Sequence, residues 1–174
     1  KNITHTVAEG LRRIIKREPL GVILDIAAWN YPLLIAVNVV VPAVLAGNSV
    51  AIKHSSLTPK CGKVFETAFK YAGAPIGLVN SLVIDHQTTE QVIQSGLIQH
   101  LAFTGSVASG RRVKESVGSQ FIETGLELGG KDPAYIREDA DVDKIIPAVM
   151  DGVFYNAGQS CCAVERIYVH HTLF

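Results

Sequence analysis

Cysteine is scarce in this sequence. Cys61, Cys161 and Cys162 are an odd number, and two of them are adjacent. Neighbouring thiols make a poor disulfide, and the spacing fits no zinc clip, so neither a disulfide scaffold nor a metal centre is expected. A reduced, cytoplasmic setting follows as the default expectation. An excess of one charge is also lacking: 16 basic residues face 16 acidic ones. Nothing in that balance invites nucleic acid or an anionic membrane surface. A long hydrophobic run is missing too. The longest, Leu33 to Leu45, is interrupted by Asn38 and Pro42 and is too short and too broken to cross a bilayer.

What remains is a chain of 174 residues, 48% apolar and only 18% charged. That composition suits an α/β fold whose central strands are covered on both sides. Short β-branched runs alternate with helix-like stretches. Strands are expected at GVILDI (21–26), SVAIK (49–53), LVNSLVI (78–84), HLAFT (100–104) and FIETGLEL (121–128). Helices are expected over 31–46, ending at Gly47, and over roughly 59–72, 87–95 and 106–118, with another after the Asp-rich DADVD (139–143). The 31–46 helix reads as largely buried. This order predicts a parallel sheet covered by helices, with ligands beyond the carboxyl ends of its strands. Both ends read as cut. KNITHTVAEGLRRIIKR suggests an amphipathic helix packed on something absent, and RIYVHHTLF stops inside a strand-like stretch.

Five stretches fall at those strand ends, and each admits two readings. AAWNYP (27–32) places Trp29 and Asn30 after the first strand; the Asn amide could steady an oxyanion, or simply cap the helix before Pro32. VAIKHSS (50–56) leaves Lys53 at a strand end, for a ribose or phosphate or for solvent. FTGSVASGRR (103–112) has Gly105 and Gly110 for close backbone approach and Ser106 at a helix start, which suits a phosphate or an ordinary Ser cap. Its spacing is not the usual G-x-G-x-x-G fingerprint. ELGGKDP (127–133) offers Glu127 as a base or as an exposed strand-end residue. NAGQSCC (156–162) offers a nucleophilic thiol or a pair of packed cysteines.

Together, in this order and spacing, the five stretches resemble the aldehyde dehydrogenase superfamily of the NAD(P)-dependent, non-acylating type, from about Pro19 to the end of the chain. The resemblance implies a Rossmann-like cofactor domain over 1–128 and the start of a second α/β catalytic domain over 129–174. It implies Cys161, three positions after Gly158, as the nucleophile that forms a thiohemiacetal and then a thioester with an aldehyde. Asn30 and the Cys161 backbone N–H hold the oxyanion, and Glu127 activates water for hydrolysis. Trp29, Lys53, Ser56, Thr104, Gly105, Ser106, Leu128 and Gly129 are implied at the NAD or NADP site. No metal is implied. The full-length enzyme is expected to be a homodimer or homotetramer acting on a small aldehyde.

Several positions depart from the family pattern. Ser56 stands where a glutamate often grips the ribose diol, which leans the cofactor choice toward accepting NADP⁺. Val39 stands where a relay lysine is usual, and Ala28 replaces a proline. IDHQTTEQ (84–91) replaces a glycine-rich turn. The family's nicotinamide-ribose glutamate and most substrate-pocket residues do not fall within these residues, so the isolated chain is expected to turn over little or nothing. Val39 and the altered turn leave room for a second reading, a non-catalytic relative kept for cofactor binding or structure.

Overall fold

The computed structural model describes residues 3–8 and 11–174. It opens with two antiparallel strands, β1 (Ile3–Ala8) and β2 (Leu11–Ile15). This corrects the expected amphipathic helix; Lys1, Asn2, Glu9 and Gly10, also within that expectation, lie outside the described residues. Leu11, Ile14 and Ile15 have helical spacing, but Ile3, Thr4, Thr6 and Val7 are β-branched and favour extended backbone.

The main sheet has five parallel strands in the order β5-β4-β3-β6-β7: β3 (Val22–Ala27), β4 (Ser49–His54), β5 (Val79–Ser81), β6 (His100–Thr104) and β7 (Glu123–Glu127). The chain winds outward from β3 in one direction through β4 and β5, then returns to β6 on its other side. That reversal at β3 is the switch point at which open α/β sheets hold ligands.

Helices cover both faces. Alternate β3 residues Leu24 and Ile26 point into a cluster with Leu101, Phe103, Ile93 of α3 (His86–Gln94) and Val117 of α4 (Val107–Val117). Ile23 points the other way, toward Val40 of α1 (Pro32–Leu45) and Phe65 and Phe69 of α2 (Pro59–Tyr71). The period of two along β3 therefore feeds two cores. α1 is less buried than its apolar sequence suggests: only Ala36 and Val40 are buried, while Leu33, Leu34, Val41 and Leu45 are exposed. Asn48 fastens the start of β3. Its side-chain oxygen accepts N–H groups of Leu20 at 2.6 Å and Gly21 at 3.0 Å, and its amide donates to the Ala43 carbonyl at 3.1 Å.

Beyond the sheet, β8 (Asp132–Ile136) pairs in parallel with β9 (Val164–Val169), joined through α5 (Val142–Phe154). The sequence did not point to β8, because Pro133 cannot donate to a ladder. A register shift between Asp132 and Pro133 accommodates it. The expected long strand at 78–84 shrinks to Val79–Ser81, and the last strand ends at Val169, before a 3₁₀ turn.

Candidate active site

The carboxyl ends of β3, β4 and β6 open into a cavity of about 280 Å³. Trp29, Lys53, Ser56, Thr104, Gly105 and Ser106 all line it. Leu128 and Gly129 do not. Leu128 instead covers Gly110, where an added Cβ would come within 2.6 Å of a Leu128 methyl. Gly129 is exposed, with open space where a side chain would project.

Each wall of the cavity has a local cause. Ser106 caps α4, its hydroxyl accepting the Ser109 N–H at 3.2 Å, and both serines line the cavity. Gly105 lies flat on Phe103: a Cβ there would sit 2.7 Å from the ring. Lys53 is only 6% exposed and has no hydrogen bond or ion pair among the described residues. Burial lowers its pKa, and the charge of Asp85 partly offsets this. A buried, unpaired ammonium in a cavity that also takes the start of α4 suits an anionic ligand. Further lining residues that the sequence did not single out include His86, Thr89, Glu90 and Arg112. The signal for the first three was the altered 84–91 turn, which supplies the N-terminal half of α3.

A second constellation lies between the sheet and the β8–β9 unit. Asn30 follows β3, and Cys161 follows α5, yet the fold joins their loops directly. The Asn30 amide donates to the Gln159 carbonyl at 2.9 Å, and the Asn156 amide donates back to the Asn30 carbonyl at 3.2 Å. Asn30 thus keeps one of its two amide hydrogens for another acceptor. The loop reaches this geometry through three successive left-handed residues, Asn156 (φ +50°), Ala157 (φ +58°) and Gly158 (φ +75°).

Glu127 reaches the same place from β7. The Gly105 N–H donates to the Glu127 carbonyl at 3.0 Å, and the Gly130 N–H donates to the Cys161 carbonyl at 2.9 Å. An added Cβ on Gly130 would fall 2.7 Å from that carbonyl, so the second glycine of the pair permits the approach. The Cys161 thiol is held above the usual thiol range by partial burial, by Cys162 and by the Glu127 carboxylate, while its own backbone N–H pulls the other way. The thiol itself is exposed. Cys162 turns toward the Ser160 hydroxyl at 3.3 Å. Val39, at the usual lysine position, packs against the Ile23 cluster.

The profile of the aldehyde dehydrogenase family matches residues 1–174. An aldehyde dehydrogenase of Davidiella tassiana is 38% identical over 162 residues, which is 92% of this chain and 33% of that protein. The solved succinic semialdehyde dehydrogenase of Streptococcus pyogenes, in complex with NADP⁺, aligns with a TM-score of 0.91 at 31% identity, over 99% of this chain and 38% of that one. The NAD-dependent aldehyde dehydrogenase of Sinorhizobium meliloti aligns with a TM-score of 0.94 at 32% identity, over 99% and 35%. This chain spans about a third of the length of the curated relatives it matches. With the fold, the cavity and the thiol loop in place, the chain belongs to the aldehyde dehydrogenase family.

Proposed function

We propose that the full-length protein oxidises an aldehyde to a carboxylic acid with NAD⁺ or NADP⁺, and that this chain carries its nucleophile, its base and the adenosine end of its cofactor site. The observation that supports this best is the junction of the loops: the Asn30 amide donates to the Gln159 carbonyl, two residues before Cys161, and the Gly130 N–H, three residues after Glu127, donates to the Cys161 carbonyl.

The cofactor reading rests on the cavity. Lys53, Ser56, the Gly105–Ser106 turn and Trp29 converge on a space suited to the adenosine half of a dinucleotide. When bound, the nicotinamide supplies acceptance of a hydride. Everything else falls to this chain's residues. Glu127, whose charge acts on the thiol, takes the Cys161 proton. The thiolate then attacks the aldehyde carbon and forms a thiohemiacetal. The free Asn30 amide hydrogen and the Cys161 backbone N–H hold the oxyanion. After oxidation to the thioester, Glu127, having passed the first proton to solvent, takes a proton from water; the water oxygen attacks the thioester, the acid leaves and the Cys161 thiolate is regenerated. A raised thiol pKa fits this scheme: the thiol stays protonated until the base removes the proton.

Residues 1–128 act as the cofactor domain and 129–174 as the start of the catalytic domain. Leu128 and Gly129, which lie off the adenosine cavity, are assigned to the approach between the two, beside Glu127. The full-length protein works as a cytoplasmic homodimer or homotetramer on a small aldehyde, and turnover is expected of it rather than of this chain alone. The test is nicotinamide reduction by the full-length protein with a panel of aldehydes. Activity lost in Cys161→Ala and kept in Cys162→Ala supports the reading. Cofactor binding without turnover on any aldehyde would favour the non-catalytic relative, with Val39 the first suspect.

A further inference from the structure

His54 has no part in the scheme above. It ends β4 next to Lys53, and neighbouring side chains leave a strand by opposite faces. Lys53 lines the cavity, whereas His54 lies under α1 and α2, only 5% exposed. Its ring stacks on Phe65 of α2, with centroids 6.5 Å apart. Gly62 of α2 comes so near that an added Cβ would stand 3.1 Å from the His54 Nδ1. Packing therefore holds the ring in place.

Nε2 of that ring lies 2.9 Å from the Pro32 carbonyl. A carbonyl only accepts, so Nε2 carries the hydrogen and donates. Nδ1, buried with no partner among the described residues, is the bare nitrogen. Pro32 is the first residue of α1 and the second after Asn30. α1 begins without a side-chain cap and without an acid in its first turn. Contacts from elsewhere in the fold steady that end: the His54 N–H on Pro32, and Tyr155, whose ring stacks on Tyr31 with centroids 6.4 Å apart. Asn30, just before them, exchanges hydrogen bonds with Gln159 and Asn156. A line of contacts thus runs from β4 through His54, Pro32 and Asn30 to the loop that carries Cys161.

We infer that His54 is a positioning residue: its Nε2–H on the Pro32 carbonyl sets where Asn30 stands and, through Asn30, steadies the thiol loop. The inference rests on Asn30 being the oxyanion donor of the proposed reaction.

The test uses the full-length protein and two variants, each first shown to be folded by its thermal melt. His54→Leu keeps an apolar side chain against Phe65 and removes the donor. His54→Gln returns an N–H at about the reach of Nε2. His54→Phe stands in for His54→Leu if that variant does not fold. In His54→Leu, deuterium exchange of residues 29–35 and of residues 156–162 should quicken by about tenfold. Its kcat should fall by about tenfold, with nucleotide affinity within about twofold of wild type. His54→Gln should recover both. Unchanged exchange at 156–162 in His54→Leu overturns the inference, even if the start of α1 loosens, because the line of contacts then stops short of the thiol loop. So does an unchanged kcat. So does a His54→Gln that behaves like His54→Leu, since the loss then belongs to packing and not to the N–H. A wild type that turns over no aldehyde overturns the proposed reaction and this positioning role with it, whereas active wild type beside equally active variants sinks the positioning role alone.

Discussion

Asp25 sits in the middle strand of the sheet, 1% exposed, with neither carboxylate oxygen hydrogen-bonded among the described residues. Its register partners are Ile52 on β4 and Ala102 on β6, and it shares its face with Ile23, under the layer formed by α1 and α2. A carboxylate there would lose its hydration and gain nothing in return. Burial accordingly pushes its pKa from 3.8 up to about 8. The group is therefore a neutral acid in the folded protein at neutral pH, and an ionised one in the unfolded chain.

The direction of the stability change follows. Between those two values the folded state holds a proton that the unfolded state has released. Stability is thus fully present below about pH 4 and is lost as pH rises toward 8. At about 1.4 kcal/mol per pH unit, the gap from 3.8 to about 8 is worth about 5 to 6 kcal/mol. Over the practical window of pH 5.5 to 8, about 3 kcal/mol of it is lost. Asp25→Asn keeps the shape and removes the titration. Urea unfolding followed by circular dichroism, at pH 5.5 and pH 8, should show wild type losing about 3 kcal/mol more than the variant. Parallel pH dependences for the two proteins would refute the reasoning, because they would mean that the carboxyl is already paired or already charged.

Four further perturbations test the geometry. Asn48→Ala strips three hydrogen bonds from the start of β3 and leaves two backbone N–H groups without their partner, so thermal unfolding should show a loss of about 2 to 3 kcal/mol. Gly110→Ala drives a methyl against Leu128 and the Phe103 ring; it should destabilise by about 1 to 3 kcal/mol, read from the same melts. Glu127→Gln removes a negative charge that raises the Cys161 pKa, so more thiolate is present at any given pH. Iodoacetamide should then label Cys161 faster in the variant between pH 7 and 9, while aldehyde turnover falls. Asn30→Ala removes the amide that donates to the thiol loop at Gln159 and, on the proposed mechanism, should lower kcat of the full-length protein by about 10² to 10³ with little change in nucleotide affinity.

The parallel sheet was legible because apolar runs of strand length alternate with helical periods, and four of the five stretches with chemistry end a strand, while NAGQSCC follows α5. Lys53 and Ser106 could be placed at the cavity mouth on that ground alone. The first residues misled because Leu11, Ile14 and Ile15 satisfy a helical spacing and a strand at once; cross-strand pairing of Ile3 with Ile15 and Thr4 with Ile14 decides it, and a pairing partner has no local sign. α1 misled differently. It is apolar on every side, so composition could not say which face would be covered.

The meeting of Asn30 with the thiol loop was invisible for a stronger reason. The two lie 129 residues apart in the bond that joins them, and the loop gets there through a backbone that its sequence does not advertise. Gly158 signals a left-handed residue, and Asn156 tolerates one, but Ala157 does not: its Cβ makes φ +58° costly by about 1 to 2 kcal/mol. That cost can be met only by contacts made once the domain has closed, and two such contacts flank it, the amide bonds exchanged by Asn30 with Asn156 and Gln159. The strained turn and the Asn30 amide therefore hold each other in place. The resemblance to a family could name Asn30 and Cys161 separately; only the closed fold makes the position of each depend on the other.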